Sequence, residues 1–178
     1  MTKNNIALLR GINIGGRNII KMAELRDLLA TLGLENIQTY IQSGNIVFES
    51  NEEDLATLAN DITNCIQVAK GFSPTTLVLS QDSFTQIAND NPFSEQTEDP
   101  RHCHILFFTQ SGQPNLSPDL SLKAESEAIQ ITKKACYFFS PEGAGRSKLF
   151  AKIDKLLGVE TTARNWRTIK KIQALLDD

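Results

Sequence analysis

The residues best suited to chemistry fall in four short stretches. The first, LLRGINIGGRN at 8–18, puts Arg10, Asn13, Gly15, Gly16, Arg17 and Asn18 into one loop, with Lys21 three residues further on. Adjacent glycines reach backbone conformations closed to other residues, so successive N–H groups can turn toward one oxyanion. Arginine adds a planar fork of donors that matches a phosphate or a carboxylate. The second stretch, QSGN at 42–45, offers the hydroxyl of Ser43 and the carboxamide of Asn45. The third, GAGRSK, ends in Arg146, Ser147 and Lys148, and the fourth, ARNWR, carries Arg164, Asn165 and Trp166. Holding an anion is the chemistry these residue types share.

Bond-breaking chemistry has less support. A serine nucleophile needs a base within reach, yet no histidine stands near Ser43 in sequence and the G-x-S-x-G pattern is absent. His102 and His104 are the only histidines, two apart on an expected strand and so on one face. With no third and fourth ligand at recognisable spacing they read as a surface pair, and no metal or cofactor is expected. GINIGG lacks the G-x-G-x-x-G spacing of dinucleotide folds, and GAGRSK falls short of the P-loop pattern. Each binding reading has a plainer rival. A glycine turn with a serine cap would account for 143–148, and a lone tryptophan at a helix start commonly anchors that helix to the core. Glu24 and Glu142 are acid–base candidates by position alone.

The elements that must carry these loops follow from periodicity. Residues 5–10 read as an apolar strand, and 22–32 as an amphipathic helix with Leu25, Leu28, Leu29 and Leu32 on one stripe, stopped by Gly33. Residues 37–41 and 46–49 form two β-rich runs joined through the QSGN turn. Asn51 is predicted to cap a helix that opens Glu52, Glu53, Asp54 and runs to about Lys70. A strand at 75–79 and a helix from Ser80 to about Asn89 follow. The order β-α-β-β-α-β over 1–80 is that of the ferredoxin-like split unit, so the fold class is α+β with an antiparallel sheet in the first lobe. The expected boundaries are 1–90 for that lobe, 91–100 for a polar linker and 101–178 for a smaller α+β lobe. The latter has a strand at 104–109, a punctuated connection at 110–126 with room for one short helix, and a hairpin of 128–132 with 136–139. Helices at 148–157 and 165–176 complete it.

Helix ends add an electrostatic argument. A helix N-terminus favours acidic side chains, and basic ones there cost about 0.3–1 kcal/mol each. Three expected helices break the rule: Lys21 precedes Met22, Arg146 and Lys148 flank Ser147, and Arg164 and Arg167 flank Asn165 and Trp166. A bound anion would turn that cost into an attraction. Cations that lean into solvent or pair with carboxylates would do so as well.

The net charge of −3 conceals a strong asymmetry. Residues 1–26 carry five basic side chains against one acidic, 27–145 carry five against sixteen, and 146–178 carry eight against four. Two basic ends on an acidic body would draw phosphates or carboxylates if they meet. The sequence pI near 5.5 argues against general nucleic-acid binding, which calls for a broad basic face. Three widely spaced cysteines, Cys65, Cys103 and Cys136, suit a reducing compartment, and neither a signal peptide nor a membrane span is expected. The expectation is a cytoplasmic protein without a membrane partner.

The stretches LLRGINIGGRN, KMAELRDLL, TYIQSGNIVF, GAGRSKLF and TTARNWRTI, in that order, resemble the bacterial family filed as a domain of unknown function and numbered sixteen ninety-seven. The resemblance runs nearly end to end. It matches at Arg10, Gly11, Asn13, Gly15, Gly16, Asn18, Lys21, Ser43, Gly44, Asn45, Ser147, Lys148, Arg164, Asn165 and Trp166, while Ala163 departs where a second threonine is expected. It implies a two-lobed α+β fold with a ferredoxin-like first lobe, and supplies no substrate. The function expected from the residues is binding of a phosphate-bearing ligand, a nucleotide or a short single strand of nucleic acid, through the Gly/Asn/Arg loops. The alternative is an enzyme acting on a phosphorylated or carboxylated metabolite, with Asn13, Ser43 and Asn45 orienting it.

Overall fold

The apolar run at 5–10 becomes the centre of a sheet. In a computed structural model, which describes residues 2–96, 98–109 and 112–177, β1 (Lys3–Arg10) pairs antiparallel with both β3 (Asn45–Ser50) and β4 (Thr75–Ser80). The edge strand β2 (Glu35–Tyr40) pairs with β3, giving the order β2-β3-β1-β4. Helix α1 (Met22–Ala30) follows β1 and α2 (Leu55–Lys70) follows β3. Alternate strand residues share a face. Ala7 and Leu9, Ile46 and Phe48, and Val78 therefore pack in one core with Leu25 and Leu29 of α1 and Leu58, Ile62 and Ile66 of α2. The i, i+4 spacing of those helical residues is what gives each helix its apolar stripe.

Asp54, and not Asn51, caps α2. Its carboxylate accepts from the Thr57 hydroxyl at 2.8 Å and from the N–H groups of Ala56 and Thr57 at 3.0 and 3.2 Å. These bonds, the hydroxyl's first, hold the carboxyl below its usual range. The upstream residues are spent on a folded lead-in: Ser50 accepts from Glu52 N–H, and Glu52 from Asp54 N–H.

Packing divides the chain into two units, Met1–Thr85 with Lys171–Asp178, and Gln86–Lys170. The second has its own antiparallel sheet. Strand β5 (Cys103–Phe108) lies between β7 (Ala135–Phe139) and β8 (Thr161–Asn165), with β6 (Ala128–Ile131) outside β7. The order β6-β7-β5-β8 repeats the first sheet: the first strand in the chain lies between the third and fourth, and the second takes an edge. Where the first unit has α1, residues 112–127 form only turns. The segment expected as a linker carries Asn91 and Phe93 buried. Asn91 donates to the Cys103 sulfur at 3.3 Å, and the Phe93 ring lies 6.4 Å from that of Phe139.

The ends of this unit depart from expectation in two places. Strand β8 occupies 161–165, where no strand is expected between the helices at 148–157 and 165–176. The helix expected at 148–157 is instead a 3-10 turn (Ala144–Arg146), a second one (Phe150–Lys152) and a five-residue α4 (Ile153–Leu157). Leu149, Ile153 and Leu157 still face the core beside Leu106, Cys136 and Phe138, so the apolar spacing survives without a continuous helix. Helix α3 (Gln81–Asn89) joins the units in sequence, and α5 (Trp166–Asp177) follows β8. No helix among the described residues is long and apolar enough to cross a membrane.

Candidate functional site

The glycine-rich loop is a folded object with a central stitch. Ile12 and Ile20, 2% and 1% exposed, pin its ends to the first unit's core, and such burial stabilises by about 1.5–3 kcal/mol per side chain. Between them, Arg17 N–H donates to the Ile14 carbonyl and Asn13 N–H to the Asn18 carbonyl, both at 3.0 Å. Gly15 and Gly16, at φ of 57° and 74°, form the two-residue turn of this small hairpin, a geometry that needs positive φ at both central positions. The Asn13 carboxamide donates to the carbonyls of Ile20 and Gln42 and accepts from Ile20 N–H, each at 2.9 Å. Asn18 donates to the Gly11 carbonyl at 2.8 Å. Both asparagines sit at φ of 52°, which that side chain tolerates better than most.

Asn13 also brings the QSGN turn to the loop. Gly44, at φ of 77°, accepts from Leu9 N–H through its carbonyl at 2.8 Å. Asn45, 1% exposed, donates to the Tyr40 carbonyl and the Ser43 hydroxyl at 3.1 and 2.9 Å. Between Tyr40 and Gln42 stands Ile41, a β-branched residue at φ of 50° with 52% of its surface exposed. Such a backbone position costs roughly 1–3 kcal/mol and persists only when its surroundings impose it. Ile14 and Ile19 are likewise exposed, at 66% and 53%. The polarity of the surrounding loop gives no hint of these three outward isoleucines.

Arg10 ends β1 at the surface, and Arg17 and Lys21 are exposed. Arg17 has no side-chain partner among the described residues. Lys21 occupies the cap position of α1 without a side-chain cap bond. The start of α1 is satisfied by Glu24, which accepts from Lys70 Nζ at 2.9 Å and from Lys21 N–H. Lys70 first, against desolvation, holds the Glu24 carboxyl below its ordinary value.

The other candidates lie in the second unit. Ser147, 7% exposed, accepts from Phe150 N–H at 3.0 Å, so it caps the turn that follows, as the plainer reading of GAGRSK anticipates. Arg146 and Lys148 on either side are exposed. Arg146 and Ser147 line a cavity of about 90 Å³ with Glu127, Ser140 and Glu142. Arg164 lies in β8 opposite Ile105, two residues before the first residue of α5. It is buried and donates to the Thr162 hydroxyl and the Ala163 carbonyl at 2.9 Å, and burial pushes its guanidinium down to about 10. Asn165 accepts from Thr168 N–H at 2.9 Å and so begins α5. Trp166 is half-buried. All three helix starts singled out for their cations thus carry an internal partner: Glu24, Ser147 and Asn165.

The histidines separate. His102 lies 3.7 Å from Asp99, whereas the His104 ring stacks edge-on against Phe150 at a centroid distance of 5.3 Å. The His104 Nδ1 is buried without a hydrogen-bond partner among the described residues, and burial first, His102 second, pushes the imidazole down to about 4. His104 is a packing residue and not half of a surface pair. Cys103 and Cys136 are buried, and burial pushes the Cys136 thiol up to about 12.

Among solved structures, the chain is similar to the conserved bacterial protein SP0830 from Streptococcus pneumoniae, with 29% identity and a TM-score of 0.76 over 99% of each chain. No curated protein matches it. The family model described as "Protein of unknown function (DUF1697)" matches residues 1–137. The chain belongs to the DUF1697 family.

Proposed function

We propose that this protein binds a phosphate-bearing ligand, a nucleotide or a short single strand of nucleic acid, at the loop 10–21 and the turn 41–45 of its first unit. The observation that carries this reading is Arg17: an exposed cation with no side-chain partner among the described residues, on a loop that contains no acidic residue from Arg10 to Ala23 and is stitched from within by hydrogen bonds. The asparagines and glycines supply the rigidity, and Arg10, Arg17 and Lys21 supply the charge. A cation on a preorganised loop loses little freedom on binding, which is where affinity is otherwise lost. Arg146 and Lys148, exposed beside the buried Ser147, are a second group of cations assigned to the same class of ligand. Arg164, Asn165 and Trp166 enter as the support of the β8–α5 corner.

The first unit's arrangement is the ferredoxin-like one in this reading, since its strand order and two crossing helices have that pattern. The three free cysteines fit a cytoplasmic setting. The test is a thermal-shift screen of the full chain against nucleotides, sugar phosphates and short oligonucleotides. A ligand at a hundredfold its Kd adds about 2.7 kcal/mol to native stability. A concentration-dependent rise in Tm that disappears in Arg17→Gln/Lys21→Gln supports the proposal. No rise with any of them, or one indifferent to the double substitution, overturns it.

A further inference from the structure

Three of the five large apolar side chains that stand exposed among the described residues, Ile14, Ile19 and Ile41, belong to the loop and turn just described. They are gathered by one residue. Ile14 follows Asn13, and Ile19 and Ile41 each adjoin a residue, Ile20 and Gln42, whose backbone the Asn13 carboxamide binds. Scattered exposed apolar residues need no explanation, but these three share one stitched loop pair. Ile41 is the most telling of them. A β-branched side chain is ill suited to φ of 50°, a place that glycine or asparagine would fill with less strain, and here it is turned into solvent.

We infer that the ligand of this loop pair is a phosphate ester of an apolar group, its phosphate held by Arg17 and Lys21 and its apolar part covering Ile14, Ile19 and Ile41. The inference rests on the phosphate-binding reading above and adds the class of ligand. Charge complementarity decides the sign, because Arg17 and Lys21 are exposed cations on a stretch, 10–23, that holds no acidic residue, and Glu24 just after it is already engaged by Lys70. The isoleucines decide the rest, since a bare phosphate or a sugar phosphate would leave them in water. Flat aromatic or aliphatic surface laid on branched side chains is what removes them from it.

The test is a calorimetric titration of the full chain with three probes: inorganic phosphate, glycerol phosphate and phenyl phosphate. Phenyl phosphate should bind at least tenfold more tightly than glycerol phosphate. Ile14→Ser/Ile19→Ser should erase that preference. Equal affinity for the two esters in the unaltered chain overturns this inference and leaves the phosphate reading in place. A preference that persists in the double variant also overturns it. Failure of all three probes to bind overturns both.

Discussion

Adding one methyl group at Gly44 should unseat the turn that meets the loop. Gly44 has φ of +77°, and a Cβ built there would lie 2.6 Å from the Leu9 Cβ and 3.1 Å from the Ile12 Cδ1. Neither neighbour can swing aside: the Leu9 Cβ is fixed by its backbone, which is tied to the Gly44 carbonyl at 2.8 Å, and Ile12 is buried in the core. A left-handed alanine costs about 1–2 kcal/mol and overpacking of this kind about 1–3 kcal/mol, so Gly44→Ala should destabilise by about 2–5 kcal/mol. Gly33 is the control, because it has φ of +76° but nothing within 4 Å of its would-be Cβ. Gly33→Ala should bear only the conformational part, about 1–2 kcal/mol. For a chain of this size each kcal/mol moves Tm by about 2–4 °C, so thermal and denaturant unfolding resolve the two variants easily. Equal losses in the two would refute the reasoning, since they would mean that the turn does not rest on Leu9 and Ile12.

Two further perturbations probe other links. Asn13→Gly keeps the backbone geometry and removes three hydrogen bonds worth about 1 kcal/mol each, and Asn13→Ala adds the left-handed penalty of about 1–2 kcal/mol. Both should speed amide exchange at Ile20, Asn13→Ala more so, and unchanged exchange would count against the stitch. His104 supplies a pH test. Its folded value, about 4, lies below its ordinary 6.5, so the folded state favours the neutral ring. That contribution is complete above pH 6.5 and is lost as pH falls toward 4, to the extent of about 2–3 kcal/mol. Across that window the unaltered chain should lose more stability than His104→Leu, as read from denaturant midpoints. Parallel slopes would show that His104 titrates freely.

Much of the first unit can be read from periodicity because its strands and helices each bury one regular stripe. Leu25 with Leu29, and Leu58 with Ile62 and Ile66, repeat at helical spacing, and Ile46 with Phe48 at strand spacing. Where side chains compete for one task, sequence loses the position. Asn51 and Asp54 are both good caps, and the choice falls on Asp54 because Ser50 and Glu52 fold the lead-in. Strand β8 is hidden by its polarity. TTARN resembles a loop, and only its pairing with β5 makes it a strand and buries Arg164. Segment 148–157 shows the reverse error, since helical spacing of Leu149, Ile153 and Leu157 is compatible with 3-10 turns that lead into one short helix. The element order of the second lobe, strand, connection, hairpin, helix, already echoes the first, but no sequence repeat marks the shared strand order, which is set by pairing partners far apart in the chain.

In the candidate site, the residue types at 10–21 and 42–45 predict a turn-rich, cationic loop pair, and its internal hydrogen bonds give those types a physical purpose. What the sequence conceals is the division of labour. Asn13, Asn18 and Asn45 spend their carboxamides on backbone and neighbouring hydroxyl groups, so the exposed chemistry falls to Arg17, Lys21 and the isoleucines. The argument from helix ends fares worst, because Glu24, Ser147 and Asn165 each satisfy the helix or turn they begin.

The most direct test of the loop pair is a backbone amide NMR titration of the full chain with phenyl phosphate. Saturable shifts concentrated at residues 11–21 and 41–45, and abolished by Arg17→Gln/Lys21→Gln, are the predicted result. Saturable shifts elsewhere with those amides unmoved would contradict it.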